Sequence, residues 1–471
     1  MPAGMPPNLN VPDDGEATIT LGAKPKKRIV LCVDGTWNAE HTNTNVWRIS
    51  NMIPKRGKDG IKQVVIYERG VGARANNYTD IAHVGDAALG ANIEDYILKA
   101  YRDLAAIYND GDDVFMFGFS RGAYICLELA DMISELGILA RHAPITPELL
   151  YKVTNFGDPA RKVTDYFGKD EEDLKKMEYD ERFVAENLRN YSNVTRVKYM
   201  GIFDTVGAIV YKSKGHFRLY PSKSVVKGRH ALAIDERRNK FVPDVWVMKA
   251  DGQCQDDSFD FEQRWFCGNH SNVGGGYDYD YLPQFPLHWI MQGAITAGLD
   301  FVKITPLTGA DCCDCPVRDE LKDADNLFED TIWKADEMFS KYFGSKSGWG
   351  KRTVGGEITH RTDRYRLLGE TIDASVLYKM QYDESYQPDE VRNLKWMKCK
   401  PSWPSVDGGF CTRLASTGLP KTPVGGAMVA SPSHCADITS GTPPTSMGKA
   451  NKHQKPSYWA SILRKAPFFG N

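Results

Sequence analysis

Short apolar runs, each closed by glycine or a small polar residue, alternate along the N-terminal half of the chain with stretches of helical period. Residues 28–33 form a continuous apolar run ended by Asp34, Gly35 and Thr36, the pattern of a strand buried on both faces that feeds a turn. A second run at 63–67 ends at Arg69, Gly70, Val71 and Gly72, and a third at 113–117 leads into Gly118. Between them Ile93, Tyr96, Ile97, Ala100, Tyr101 and Leu104 share one helical face, and residues 123–136 are apolar nearly all round, as a buried helix is. Further strands are predicted at 194–203 and 264–268, each ending in a Gly-rich turn. Strands alternating with helices predict an α/β fold with a mostly parallel sheet and helices on both faces.

Outside that alternation the composition shifts. Residues 1–26 are rich in Pro, Gly and Asp and are expected to be disordered. The catalytic body is expected at 27–300, and within it 144–193 is charged and dotted with aromatics, which predicts a helical insertion over the sheet that acts as a cap. Its charge run at 169–176 suits a solvated helix face. Residues 301–415 read as a mixed helical, aromatic accessory region packed on the core. Residues 416–471 are dense in Pro, Gly, Ser and Thr, and most of them are expected to form a disordered tail.

The balance of 59 basic against 61 acidic residues, net −2, offers no electrostatic attraction to a phosphate backbone or an anionic membrane. No nucleic-acid partner is expected, and with no apolar leader and no transmembrane run in the sequence, contact with a membrane is expected to be transient. Cys32, Cys126 and Cys267 sit in apolar stretches and suit reduced core thiols, so the expected compartment is the cytoplasm, a non-classical export route being compatible with it. The cluster Cys312-Cys313-Asp314-Cys315 has no second pair at ligand spacing, a loop rather than a zinc site. No metal and no cofactor are expected.

The candidate chemistry centres on Gly118-Phe119-Ser120-Arg121-Gly122. By chance such a five-residue string arises about 0.2 times in a chain this rich in Gly and Ser, so its setting carries the weight. Here Ser120 directly follows an apolar strand and directly precedes an apolar helix, the setting of a nucleophile elbow, with Gly118 and Gly122 letting strand and helix approach. The competing role for Ser120 is a helix cap. An acid and then a histidine must follow, each at the end of a later strand. Asp204 and His270 meet that order, Asp204 after the apolar run that ends at Phe203 and His270 in the Gly-rich loop after 264–268. Asp235 and Asp278 are rivals for the acid; Asp235, beside Glu236, Arg237 and Arg238, looks better suited to an ion-pair network. The oxyanion hole is expected from the backbone amides of Arg121, Gly35 and Thr36, with Asp34 holding the turn by side-chain bonds.

Five blocks occur together and in order: Val33 to Asn38, Gly70 to Gly72, Phe117 to Ala123, Gly201 to Gly207, and Gly268 to Tyr277. The set resembles the catalytic domain of type VI secretion lipase effectors, over roughly residues 27–277, extending weakly through His230 to Arg237. The resemblance implies an α/β-hydrolase fold, a triad of Ser120, Asp204 and His270, and esterase or phospholipase A activity on acyl lipids; the C-terminal third is unmatched.

Two other functions compete. A phosphatase built on Asp34 lacks the second Asp two residues earlier, where Cys32 stands, and a cysteine phosphatase lacks the Arg six residues on, where Asn38 stands. A non-catalytic interaction module on a hydrolase scaffold is the other, against which the intact set of Ser, Asp and His counts.

Overall fold

The computed structural model describes residues 25–36, 38, 40–70, 93–156, 166–207, 221–238, 241, 243–248, 260–277, 281–302 and 317 and, further on, 357–360, 363–367, 370–373, 375–376, 379, 386, 388 and 399–400. Eight strands make the main sheet: β1 (Lys27–Val33), β2 (Lys62–Glu68), β3 (Asp113–Phe119), β4 (Val197–Phe203), β5 (Lys227–Ala233), β6 (Asp260–Phe266), β7 (Glu370–Asp373) and β8 (Cys399–Lys400). Their order is β2-β1-β3-β4-β5-β6-β7-β8, and each neighbouring pair is parallel. The helices around them include α1 (Asn45–Met52), α2 (Ile93–Ile107), α3 (Arg121–Leu136), α4 (Pro147–Val153), α5 (Glu171–Lys176), α6 (Tyr179–Tyr191), α7 (His270–Gly274) and α8 (Gln284–Thr296). This is an α/β-hydrolase-like arrangement.

The pleat sorts the side chains into two cores. Ile29, Leu31, Val33, Val114, Met116, Met200 and Ile202 pack with α2 and α3 on one face. Val30, Cys32, Phe115, Phe117, Tyr199 and Phe203 pack with α1 and α8 on the other. A strand covered on both sides cannot afford polar positions, which is why β1 and β3 read as continuous apolar runs. Truncating one of these rings, as in Phe117→Ala, would cost about 3–5 kcal/mol. Cys32, Cys126 and Cys267 form no disulfide and are buried in the same cores.

Within 144–193 the described residues include α4, α5 and α6. Thr146 caps α4 by accepting the Leu149 N–H at 3.2 Å, and Asp170 caps α5 through the Asp173 N–H at 2.8 Å. Leu150, Leu174, Val184 and Leu188 join the core on the α2 and α3 face.

Three expectations change. Residues 227–233, where no strand was predicted, form β5, because Arg229 and His230 interrupt the apolar pattern yet have partners in the fold. Strand β6 starts at Asp260, ahead of the predicted 264. The accessory region at 301–415, expected to be helical, supplies β7 and β8: Thr371 and Ile372 align with Arg264 and Trp265 of β6 and extend the sheet. The expectations for residues 1–24, for Cys312 to Cys315 and for the tail at 416–471 lie outside the described residues.

The chain runs from β1 outward to β2 and then crosses back to β3, so the strand order reverses beside β1. In open α/β sheets the carboxyl ends of the strands flanking such a reversal form a crevice where ligands bind. The residue that follows β3 is Ser120.

Candidate active site

Strand β3 turns into α3 through Ser120, whose φ of 55° and ψ of −123° lie where side chains other than glycine are rare. Such a residue stores about 1–3 kcal/mol and persists only where its surroundings over-determine it. They do so here. The Ser120 N–H donates to the Phe203 carbonyl at 3.0 Å, continuing the ladder one residue past the strand. A Cβ on Gly122 would stand 2.3 Å from the Val33 carbonyl oxygen, and one on Gly118 would stand 2.5 Å from the Ala123 Cα, so the elbow closes only on glycines. Ser120 is buried and occupies the cap position of α3, but its side chain makes no capping hydrogen bond. The hydroxyl is therefore not there to cap the helix.

Phe119 and Phe203 are register partners, so Ser120 and Asp204 leave adjacent parallel strands side by side. Asp204 is fully buried and strained in turn, with φ of 39°. Its N–H donates to the Ala231 carbonyl at 2.7 Å, and its Oδ1 accepts the Ala233 N–H at 2.9 Å. Its Oδ2 lies 2.6 Å from His270 Nδ1. His270 is the first residue of α7, behind a capping box in which Asn269 and Asn272 exchange side-chain bonds with each other's amides at 2.9 and 3.1 Å. The imidazole stacks at 4.7 Å on Phe119, the residue before Ser120, and meets Phe241 edge-on at 5.0 Å.

Of the rival acids, Asp235 points elsewhere. Its Oδ2 accepts the Gly268 N–H at 2.7 Å and the Tyr386 hydroxyl at 2.8 Å. Next along the chain, the Glu236 carboxylate takes both Nε and Nη2 of Arg238 at 2.8 Å. Asp278 lies outside the described residues.

The turn after β1 lies against the elbow. Asp34 is buried and structural: its Oδ2 accepts the hydroxyls of Thr44 at 2.6 Å and Tyr67 at 2.7 Å, tying the turn to the start of α1 and to β2. Its Oδ1 accepts the Gly35 N–H at 2.7 Å. That bond corrects the expected oxyanion set, because the Gly35 amide is committed to Asp34. The Thr36 Oγ1 is buried without a hydrogen-bond partner. Arg121 supplies the first amide of α3, at the positive end of the helix dipole. Burial pulls its guanidinium down to about 10, so it stays cationic at neutral pH one residue from Ser120.

Sequence reasoning missed Glu236, Phe241 and Tyr386, which touch the histidine or its loop. Glu236 and Phe241 stand in a polar, irregular stretch, and Tyr386 lies far down the chain, so only tertiary contacts reveal them. Among the described residues no group of His, Cys, Asp and Glu side chains is disposed to hold a metal ion, and no helix is long and apolar enough to cross a membrane.

The family model described as the T6SS phospholipase effector Tle1-like catalytic domain matches residues 27–293. An uncharacterized protein of Saccharomyces cerevisiae is 27% identical over 233 residues, 46% of this chain and 32% of that protein. Among solved structures, the Tle1 effector bound to the VgrG spike of the type 6 secretion system is similar at 16% identity and a TM-score of 0.29, over 55% of this chain and 53% of that one. An uncharacterized protein from Pseudomonas aeruginosa is similar at 14% identity and a TM-score of 0.34, over 68% of this chain and 54% of that one. The chain thus matches about a third of the curated relative's length and about half of each of these structures.

Proposed function

The chain belongs to the family of Tle1-like phospholipase effector catalytic domains, and on that premise we propose that it is a serine hydrolase that cleaves the carboxylic esters of acyl lipids, phospholipids above all. The observation that carries this reading is the 2.6 Å bond between Asp204 and His270, at the sheet edge where the strained Ser120 stands with its hydroxyl uncommitted. With Nδ1–H donating to Asp204, Nε2 carries the lone pair and takes the Ser120 proton as Oγ attacks the ester carbonyl. The resulting oxyanion is met by the backbone amides of Arg121 and Thr36, each donor being worth about 2.7–4 kcal/mol in the transition state. Collapse expels the alcohol, which His270 protonates, and leaves an acyl-Ser120 ester. Water, deprotonated by His270, then releases the fatty acid and restores Ser120. Phe119 and Phe241 keep the imidazole in an apolar setting, where its bond to Asp204 is stronger than in water. A lipid substrate is reached by transient contact with a membrane surface.

The test is hydrolysis of p-nitrophenyl esters of graded chain length and of phospholipid vesicles by the wild type and by Ser120→Ala, with folding checked by circular dichroism. Activity present in the wild type and absent in the variant is the expected result. Equal rates in both would remove Ser120 from the chemistry and leave a non-catalytic module on a hydrolase scaffold.

A further inference from the structure

Tyr386 lies outside the stretch that matches the family, yet its hydroxyl reaches the loop that carries His270. It donates to Asp235 Oδ2 at 2.8 Å, and the same oxygen accepts the Gly268 N–H at 2.7 Å. The Asp235 N–H in turn donates to the Gly268 carbonyl at 3.1 Å, so Asp235 holds Gly268 by both of its backbone groups. Next along the chain, Glu236 Oε2 accepts the His270 N–H at 3.2 Å. The Arg238 guanidinium that neutralises Glu236 stacks 3.6 Å over Phe241, which closes the circuit on the imidazole. Strand β7, earlier in the chain than Tyr386, pairs with β6 just before the histidine loop departs. Tyr386 and Glu236 are buried. Burial also pushes the Tyr386 hydroxyl well up, so it remains a donor across the working pH range.

We propose that Tyr386, acting through Asp235, and Glu236, acting on the His270 amide, are positioning residues for the catalytic histidine, so that Tyr386, outside the stretch that matches the family, is part of the catalytic apparatus. A general base has to be held to within about 0.5 Å of its productive place, and a misplacement of about 1 Å costs about a hundredfold in rate. A tyrosine that served the fold alone would affect stability without discriminating between the chemical step and binding. The inference rests on the reading of His270 as the base, so one measurement is chosen that does not depend on turnover.

Tyr386→Phe removes only the hydroxyl, and Asp235→Asn removes the shared acceptor charge; both are made in the full chain and assayed on p-nitrophenyl esters. Tyr386→Phe is expected to lower kcat about tenfold and Asp235→Asn about a hundredfold, with KM little changed. In a His270→Ala background Tyr386→Phe should leave the residual rate as it is. Independently of activity, the downfield proton resonance of His270 Nδ1–H should move or broaden in Tyr386→Phe while the circular dichroism stays that of the wild type. An unmoved resonance with unchanged kcat would overturn the proposal, and so would an equal rate loss with and without His270. If Ser120→Ala stayed active while the resonance still responded to Tyr386→Phe, the hydrolase reading would fail and the positioning would stand.

Discussion

The two ends of the main sheet's strands treat the backbone differently. At the N-terminal ends ion pairs line up, Lys26 and Lys198 on Asp113, Lys27 on Asp112, Lys227 and Arg229 on Asp260. Positive φ there falls on glycine, Gly60 at 78° and Gly111 at 83°, with nothing within 4 Å of where a Cβ would stand. At the C-terminal ends positive φ falls on Gly268, at 111°, but also on Ser120 and Asp204, which glycine would relieve and which backbone hydrogen bonds hold in place. Strain that a simple substitution would remove, kept at two adjacent strand ends, is what the proposed roles of Ser120 and Asp204 lead one to expect.

The sharpest way to break the contrast is Ser120→Gly. Activity on esters should fall by about four to six orders of magnitude, as with Ser120→Ala, but the glycine should also raise stability by about 1 kcal/mol by releasing the strained φ. Thermal denaturation of the two variants side by side reads this, and a glycine variant no more stable than the alanine one would show that Ser120 is not strained. Asp204→Asn comes next: kcat should drop about ten-thousandfold with KM nearly held, since the amide disturbs the tautomer that the carboxylate fixes. A loss under tenfold would take Asp204 out of the acid role.

Two glycine substitutions then compare the ends directly. Gly122→Ala drives a Cβ into the Val33 and Asp34 carbonyls and should cost about 1–3 kcal/mol of stability together with most of the activity. Gly111→Ala meets open space and should cost about 1–2 kcal/mol for its left-handed backbone alone, with kcat intact. Smallest is Lys198→Ala, which removes a half-exposed partner of Asp113; denaturant titration should show a change under about 1 kcal/mol, vanishing at high salt.

What the sequence revealed follows from where each signal is stored. Strands β1 and β3 are legible because burial on both faces leaves no polar position in their cores. Strand β5 is not, since Arg229 finds Asp260 and His230 accepts the Thr205 N–H at 3.2 Å, partners that no local window contains. Strand β7 is short, and its identity as a strand comes from pairing with β6. Ser120 is readable because the strand before it and the helix after it are local. Choosing Asp204 over Asp235 is not, because both follow a strand end and only the direction of their side chains separates them. The Gly35 amide could not be removed from the oxyanion set until the bond to Asp34 Oδ1 was visible.

The parallel pairing of β7 with β6 joins segments separated by a long stretch of chain, and this sets a schedule for the newborn protein. At a synthesis rate of about 5–20 residues per second, Tyr386 leaves the ribosome on the order of ten seconds after His270. For that interval the nascent chain already holds Ser120, Asp204 and His270 but has nothing from β7 onward to fix the histidine loop. Elongation itself therefore acts as a timer, and the grip on Gly268 is completed only when this late segment arrives.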